Sequence, residues 1–250
     1  DDGVMELLVF ATGTSSENPR AELYSFGTGK RELIGETRLD STITSFESIK
    51  YAKTDEGTSI YADALCADGS SMVTEFIYWS DYYNSIISPF YSYSTGRTKE
   101  TLRSSQVTCR DIDGDGCIEI PEDTSSKKQS SEITSQNWVN YGNTVLSHKC
   151  YSFSCKRDGY ILVIDDDDFS KVKANYDSES RKLTIIDKKN KSNVFEIVTL
   201  INSNYSVNDP KYKDYTMIMK NSGFVYLAKV NKSSDIDINI QTLKDMIKVY

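Results

Sequence analysis

The sequence predicts a mainly β chain in two parts: an antiparallel β-meander over residues 1–148 and an α+β domain over 149–250. In the second part a curved antiparallel sheet carries a C-terminal helix. Three observations predict this. Short apolar runs of strand length recur along the chain, separated by Gly, Asp and Asn turn chemistry. The formal charge of −8 is uneven, with 12 Lys+Arg against 23 Asp+Glu in residues 1–148 and 17 against 14 in residues 149–250. Near the C-terminus the apolar period changes from two to that of a helix.

In the first part the runs are Met5–Ala11, Ala21–Phe26, Glu32–Leu39, Phe46–Lys53, Ser59–Cys66, Met72–Trp79 and the pair Ile86-Ile87. Gly27-Thr28-Gly29, Asp55-Glu56-Gly57 and Ala67-Asp68-Gly69-Ser70 read as hairpin turns, because Gly tolerates positive φ. The polar stretch 123–136 has little to bury and reads as a loop. A strand-like pattern through Trp138, Val139, Tyr141, Val145 and Leu146 then closes the first part near residue 148.

In the second part strands are expected at Tyr160–Ile164, Val172–Tyr176, Lys182–Ile186, Val194–Ile201, Tyr215–Met219 and Phe224–Val230, with hairpins at Lys188–Lys191 and Asn221-Ser222-Gly223. The run Asp165–Asp168 reads as a solvated loop in which Asp165 or Asp166 caps a short turn through Phe169 and Lys171. Ile236, Ile240, Leu243 and Ile247 form one helical stripe, preceded by Ser233, Ser234 and Asp235 as cap candidates.

Composition bounds the function. An acidic first part argues against nucleic acid and anionic membranes as partners, since phosphate binding needs clustered Lys and Arg. A metal cation suits it better. No stretch approaches the roughly 20 apolar residues of a transmembrane helix. A composition rich in Ser, Tyr, Asn, Asp and Thr suggests an extracellular or cell-surface protein. The start Asp1-Asp2-Gly3 fits a removed N-terminal signal, including that of a lipid-anchored protein, or simply an arbitrary boundary. Five cysteines cannot all pair, and none forms the C-x-x-C pair of a structural zinc site. Cys150 with Cys155 across adjacent strands, Cys109 with Cys117 around a loop, and small buried thiols all remain open.

The most specific signal is Asp111-Ile112-Asp113-Gly114-Asp115-Gly116-Cys117-Ile118-Glu119. Calcium takes six to eight oxygen ligands, and carboxylates at alternate positions of a tightly turning backbone converge on one ion. Asp111, Asp113 and Asp115 are the expected carboxylate ligands, Cys117 the backbone-carbonyl ligand, and Glu119 a carboxylate or water-bridging ligand. Glu122 occupies the twelfth place of the EF-hand loop pattern. The flanks exclude an EF-hand all the same: Ser105–Cys109 is polar and β-branched, and Pro121 interrupts any following helix. The loop is therefore expected to join β-strands, with Cys117–Ile120 leaving it as a strand.

This string, with Ile120-Pro121 behind it, the segment Thr98–Arg110 before it and the strand Val73–Tyr78 further upstream, resembles uncharacterised exported proteins and lipoproteins of gut Firmicutes. Their loops are similar to the calcium loops of FG-GAP and VCBS repeats, which build β-propellers. The resemblance implies Ca2+ held by Asp111, Asp113, Asp115, Cys117 and Glu119. The resemblance also implies a propeller-like first part with an incomplete set of blades, since one loop and material for two or three blades is less than a closed propeller needs. The segment Gly159–Ile164 and the late helix are similar to the small α+β fold of PsbP-like domains, although Asp165–Phe169 stands where related proteins carry Pro and Trp.

For catalysis the sequence offers little. The only histidine, His148, adjoins Lys149 and Cys150, and neighbours in sequence rarely converge on one substrate. Gly27-Thr28-Gly29-Lys30 lacks P-loop spacing. The aromatic cluster Tyr78, Trp79, Tyr82, Tyr83, Phe90, Tyr91 and Tyr93 reads as packing or as a sugar- or peptide-binding surface. The expected function is a non-catalytic, calcium-stabilised extracellular binding module for a glycan, peptide or protein. The alternative is an extracellular hydrolase acting on carbohydrate through paired carboxylates.

Overall fold

A computed structural model of the chain describes residues 3–14, 16–54, 57–124, 132–142, 145–206, 209–231, 236 and 238–250. It is mainly β. The strands are β1 (Glu6–Ala11), β2 (Arg20–Ser25), β3 (Glu32–Arg38), β4 (Ile43–Thr54), β5 (Gly57–Cys66), β6 (Met72–Ser80), β7 (Ser85–Ile87), β8 (Tyr91–Ser92), β9 (Arg97–Thr98), β10 (Ile120–Asp123), β11 (Ile133–Gly142), β12 (Val145–Cys155) and β13 (Tyr160–Ile164). After the short helix α1 (Asp166–Phe169) come β14 (Val172–Asp177), β15 (Lys182–Asp187), β16 (Asn193–Ile201), β17 (Thr216–Lys220), β18 (Phe224–Val230), helix α2 (Ile240–Met246) and β19 (Ile247–Val249). By Cα proximity the chain divides into two compact units, Asp1–Asp123 with Trp138–Lys149, and Thr124–Asn137 with Cys150–Tyr250. The division crosses β11 and β12.

In the first unit, β1-β2-β3 and β4-β5-β6-β7 are antiparallel sheets joined strand to strand by hairpins, and β8-β9 is a small ribbon. The central strands β5 and β6 are buried on both faces. Val73 and Ile77 join Ala64 and Cys66 in one apolar cluster with Leu39, Ile43 and Ile86. Tyr61 and Phe76 belong to a second, with Ala52, Cys109, Ile120, Val139 and Tyr141. Period-two alternation accounts for this, since odd and even positions of a strand face opposite ways. Each face also buries a carboxylate, Glu75 beside Val73 and Ile77, and Asp63 beside Tyr61. Pro121 sits in β10, the outermost strand of its sheet, where its missing N–H costs no ladder bond.

In the second unit, β14-β15-β16-β18-β17 is a wholly antiparallel sheet, and β13 pairs with Tyr151–Cys155 of β12 and with β19. Phe153, Tyr160, Leu162, Leu183, Ile185, Phe195, Ile197, Tyr226 and Leu243 share one core. Asn221 makes the β17–β18 turn by accepting the N–H groups of Gly223 (2.9 Å) and Phe224 (2.7 Å).

Several expectations need correction. Helix α2 is shorter than the apolar stripe: Asn239 caps it, accepting from the N–H groups of Gln241 and Thr242, and Ile247 leaves it to enter β19. The cap candidates Ser233, Ser234 and Asp235, the turn residues Asp55-Glu56 and most of the polar stretch, residues 125–131, lie outside the described residues. The ends of that stretch are strand, Asp123 in β10 and Ile133–Gln136 in β11. The turn at Asp165 forms as helix α1, yet no side chain caps it. All five cysteines are free thiols. Cys150 and Cys155 lie on the same strand, β12, about 16 Å apart at the rise of an extended chain, which forbids a bridge. Among the described residues no sheet closes on itself.

Candidate metal centre

The loop of residues 111–118 is closed by a pair of antiparallel backbone bonds, Arg110 N–H to Glu119 O (3.1 Å) and Glu119 N–H to Arg110 O (2.9 Å). The expected strand after the loop is thus reduced to this bridge, and regular pairing begins at Ile120. Inside the loop the carboxylates turn the chain. Asp111 accepts from Gly114 N–H (2.6 Å) on Oδ1 and from Gly116 N–H (3.0 Å) on Oδ2. Asp113 Oδ1 accepts from Asp115 N–H (3.3 Å), and Asp115 Oδ1 from Cys117 N–H (2.8 Å). Gly114 and Gly116 have φ of +87° and +89°, a conformation that a side chain would strain.

As a result, the carboxylate oxygens of Asp111, Asp113 and Asp115 lie within 4.8 Å of one another on the surface, a group that could hold a metal ion. Glu119 lies outside this trio but is fully buried behind it. Its Oε2 accepts from Ile112 N–H at 2.9 Å, while Oε1 is buried with no hydrogen-bond partner. Burial pushes the Glu119 carboxyl up to about 7; the Ile112 amide opposes the rise, and the nearby charges of Asp113, Asp115 and Asp111 add to it. Cys117 is half-buried, and its N–H goes to Asp115.

Two further residues belong to the site without any local motif that marks them. Ile112, the non-ligand position between two aspartates, is buried and anchors the loop to the unit. Lys149, 34 positions beyond Asp115, places its Nζ 3.0 Å from Asp113 Oδ2 and 2.6 Å from Asp115 Oδ2. Its bond holds the Asp115 carboxyl below the usual range, with help from the Cys117 amide, and the two aspartates hold the lysine above its own. A lysine this far along the chain leaves no local signal.

Three buried carboxylates elsewhere in the first unit organise the irregular segment 88–110. Glu75 Oε1 accepts from Asp40 N–H (2.7 Å) and Thr98 Oγ1 (3.0 Å), and Oε2 from Ser88 Oγ (2.9 Å). Asp40 Oδ2 accepts from Thr98 N–H (2.8 Å) and Arg97 Nε (2.9 Å). Asp63 pairs with Arg103 at 2.8 Å, both side chains fully buried, and also accepts from Thr74 Oγ1 and Cys109 N–H. The amides of Asp40, Thr98 and Cys109 take these carboxylates as acceptors, which meets the requirement that buried polar groups be bonded. An acid at an inward position of an apolar strand, as in Ala62-Asp63-Ala64 and Thr74-Glu75-Phe76, is the signal that could have found them.

The remaining sequence candidates separate. Phe76, Tyr78, Phe90 and Tyr141 pack together in the interior, with Phe76 and Tyr141 centroids 4.4 Å apart, whereas Tyr82, Tyr83 and Tyr93 are exposed. His148 is exposed on β12. Asp165–Asp168 do not converge as the loop aspartates do. No protein-family model matches the chain, and no curated protein matches it.

The donor set suits a hard divalent cation. It is all oxygen, anionic and set on a glycine-rich turn, with one buried carboxylate oxygen lacking any bond. Asp111, Asp113 and Asp115 would hold the ion from the surface, and Glu119 would support it from within. What an ion would supply there is charge neutralisation that ties the loop to its buried base.

Proposed function

We propose that this chain is a calcium-stabilised, non-catalytic binding module of an extracellular or cell-surface protein, in which Ca2+ held by Asp111, Asp113, Asp115, the Cys117 carbonyl and Glu119 fixes a loop between strands. The observation that carries the reading is the buried, unpartnered Oε1 of Glu119 behind three converging aspartates. A carboxyl in that position is raised by burial and by its acidic neighbours, and a divalent cation relieves both penalties at once. The first unit is read as propeller-like, since the four-stranded antiparallel meander β4–β7 has the form of one blade. The second is read as a PsbP-like α+β domain, with α2 at the end of an antiparallel sheet.

The ligand is a glycan, peptide or protein. A groove lined by Glu17, Asn18, Arg20, Glu36, Arg38 and Tyr93 offers the hydrogen-bonding side chains and exposed aromatic ring that a polar ligand needs. The non-catalytic reading rests on the two carboxyls held near 7, Glu75 and Glu119. Both are fully buried, and Glu75 has its oxygens committed to Asp40, Thr98 and Ser88. Calorimetric titration with Ca2+, followed by glycan-array and peptidoglycan pull-down with the loaded protein, tests the reading. One calcium per chain and saturable capture of a polymer are expected; the absence of any calcium heat would overturn it.

A further inference from the structure

Asp113 and Asp115 each commit one carboxylate oxygen, Oδ1, to a backbone amide of the loop. In both residues the other oxygen, Oδ2, points to the same ammonium, that of Lys149. The oxygens with most capacity to spare for a cation are therefore the ones this lysine engages. Three aspartates and a buried glutamate within nine residues repel one another, and a cation placed among them is favoured, whether ammonium or metal. The lysine is attached through a long flexible stem, and its side chain remains 30% exposed, so it can withdraw into water without unpacking a core.

From this geometry we infer that Lys149 is a built-in competitor for the metal, so that Asp113 and Asp115 hold either its ammonium or a divalent cation. The inference rests on the reading of this loop as a calcium site and adds how that site is regulated. Loading then costs the protein two ion pairs, which weakens the apparent affinity and sets a threshold for calcium. A site tuned in this way fills at high ambient calcium, where extracellular modules with dissociation constants of about 10⁻⁴ to 10⁻³ M operate. Loading also releases a positive side chain on β12 next to the loop.

Two measurements on the full chain test this together. In calorimetry with Ca2+, Lys149→Met is expected to bind at least tenfold more tightly than the unsubstituted protein. Removal of a positive charge near the ion would tighten binding even without displacement, so the second measurement follows the lysine itself. Trace acetylation read by mass spectrometry, with the other lysines as internal references, is expected to show Lys149 labelled several-fold faster in Ca2+ than in chelator. Tighter binding by the variant together with faster labelling of Lys149 in the unsubstituted protein supports the inference. Calcium binding with an unchanged or slower labelling rate at Lys149 overturns it and leaves the calcium site standing. No calcium binding by either protein overturns the site and the inference with it.

Discussion

Glu119 binds the backbone N–H of Ile112 at 2.9 Å with one carboxylate oxygen and keeps the other buried without a partner. The first bond fixes the loop; on the calcium reading proposed above, the second oxygen is where a cation would gain most. Replacing Glu119 by Gln retains an acceptor for Ile112 and deletes the charge. Calcium affinity is expected to fall at least tenfold in calorimetry, while the calcium-free variant is at least as stable as the parent at pH 8, because a buried charge has gone. Equal calcium affinity in the two proteins would contradict the role assigned to Glu119.

The Asp63–Arg103 pair is fully buried and shared with Thr74 and Cys109. Arg103→Met would leave the Asp63 charge without its counter-ion, and breaking a buried pair in this way costs about 3–5 kcal/mol. Chemical denaturation is expected to show a loss of that order, confined to the transition that includes the first unit. A loss under about 1 kcal/mol would show that the pair does not organise the segment 88–110.

Glu75 makes the stability of the first unit depend on pH. Burial raises its carboxyl to about 7, outweighing the bonds from the Asp40 amide, Ser88 and Thr98. With the folded value above the unfolded one, the folded state holds more protons between roughly pH 4.5 and 7. The contribution from Glu75 is therefore complete below about pH 4.5 and is lost as pH rises through 7, to the extent of roughly 3 kcal/mol. Glu75→Gln is expected to flatten that part of the stability profile. An identical slope in variant and parent, measured by urea denaturation from pH 5 to 8, would contradict this.

The sequence was informative where local rules decide the outcome. Phe224–Val230 and Tyr160–Ile164 are strands with the expected bounds, because alternation and flanking turns specify them. The three loop aspartates converge because their spacing and two glycines act within nine residues. Relations that tertiary structure creates were not legible. Lys149 reaches the loop from 34 positions away, Ile247 exchanges a helical stripe for pairing with Leu162, and β8 and β9 are two residues each, too short to show a period. Sequence proximity misled for Cys150 and Cys155, since five residues of extended chain carry the thiols apart.

The thiols provide an independent check on the fold. Cys66, Cys109 and Cys155 are buried, and burial pushes the Cys155 thiol up to about 12. In the folded protein a water-soluble thiol reagent is expected to titrate only the half-buried Cys117 and Cys150, and all five in denaturant without reductant. Recovery of three or fewer thiols in denaturant would reveal a disulfide and contradict the five free thiols of this fold.

The central claim is that calcium at residues 111–119 stabilises the fold, and thermal unfolding in calcium against chelator tests it most directly, with Asp113→Ala as the control. At a hundredfold excess over the dissociation constant, a single bound ion contributes about 2.7 kcal/mol. For a chain of this size that is a rise in Tm of roughly 5–10 °C. The unsubstituted protein should show the rise, and Asp113→Ala should unfold at one temperature in both buffers. Equal unfolding temperatures for the unsubstituted protein with and without calcium would contradict the account.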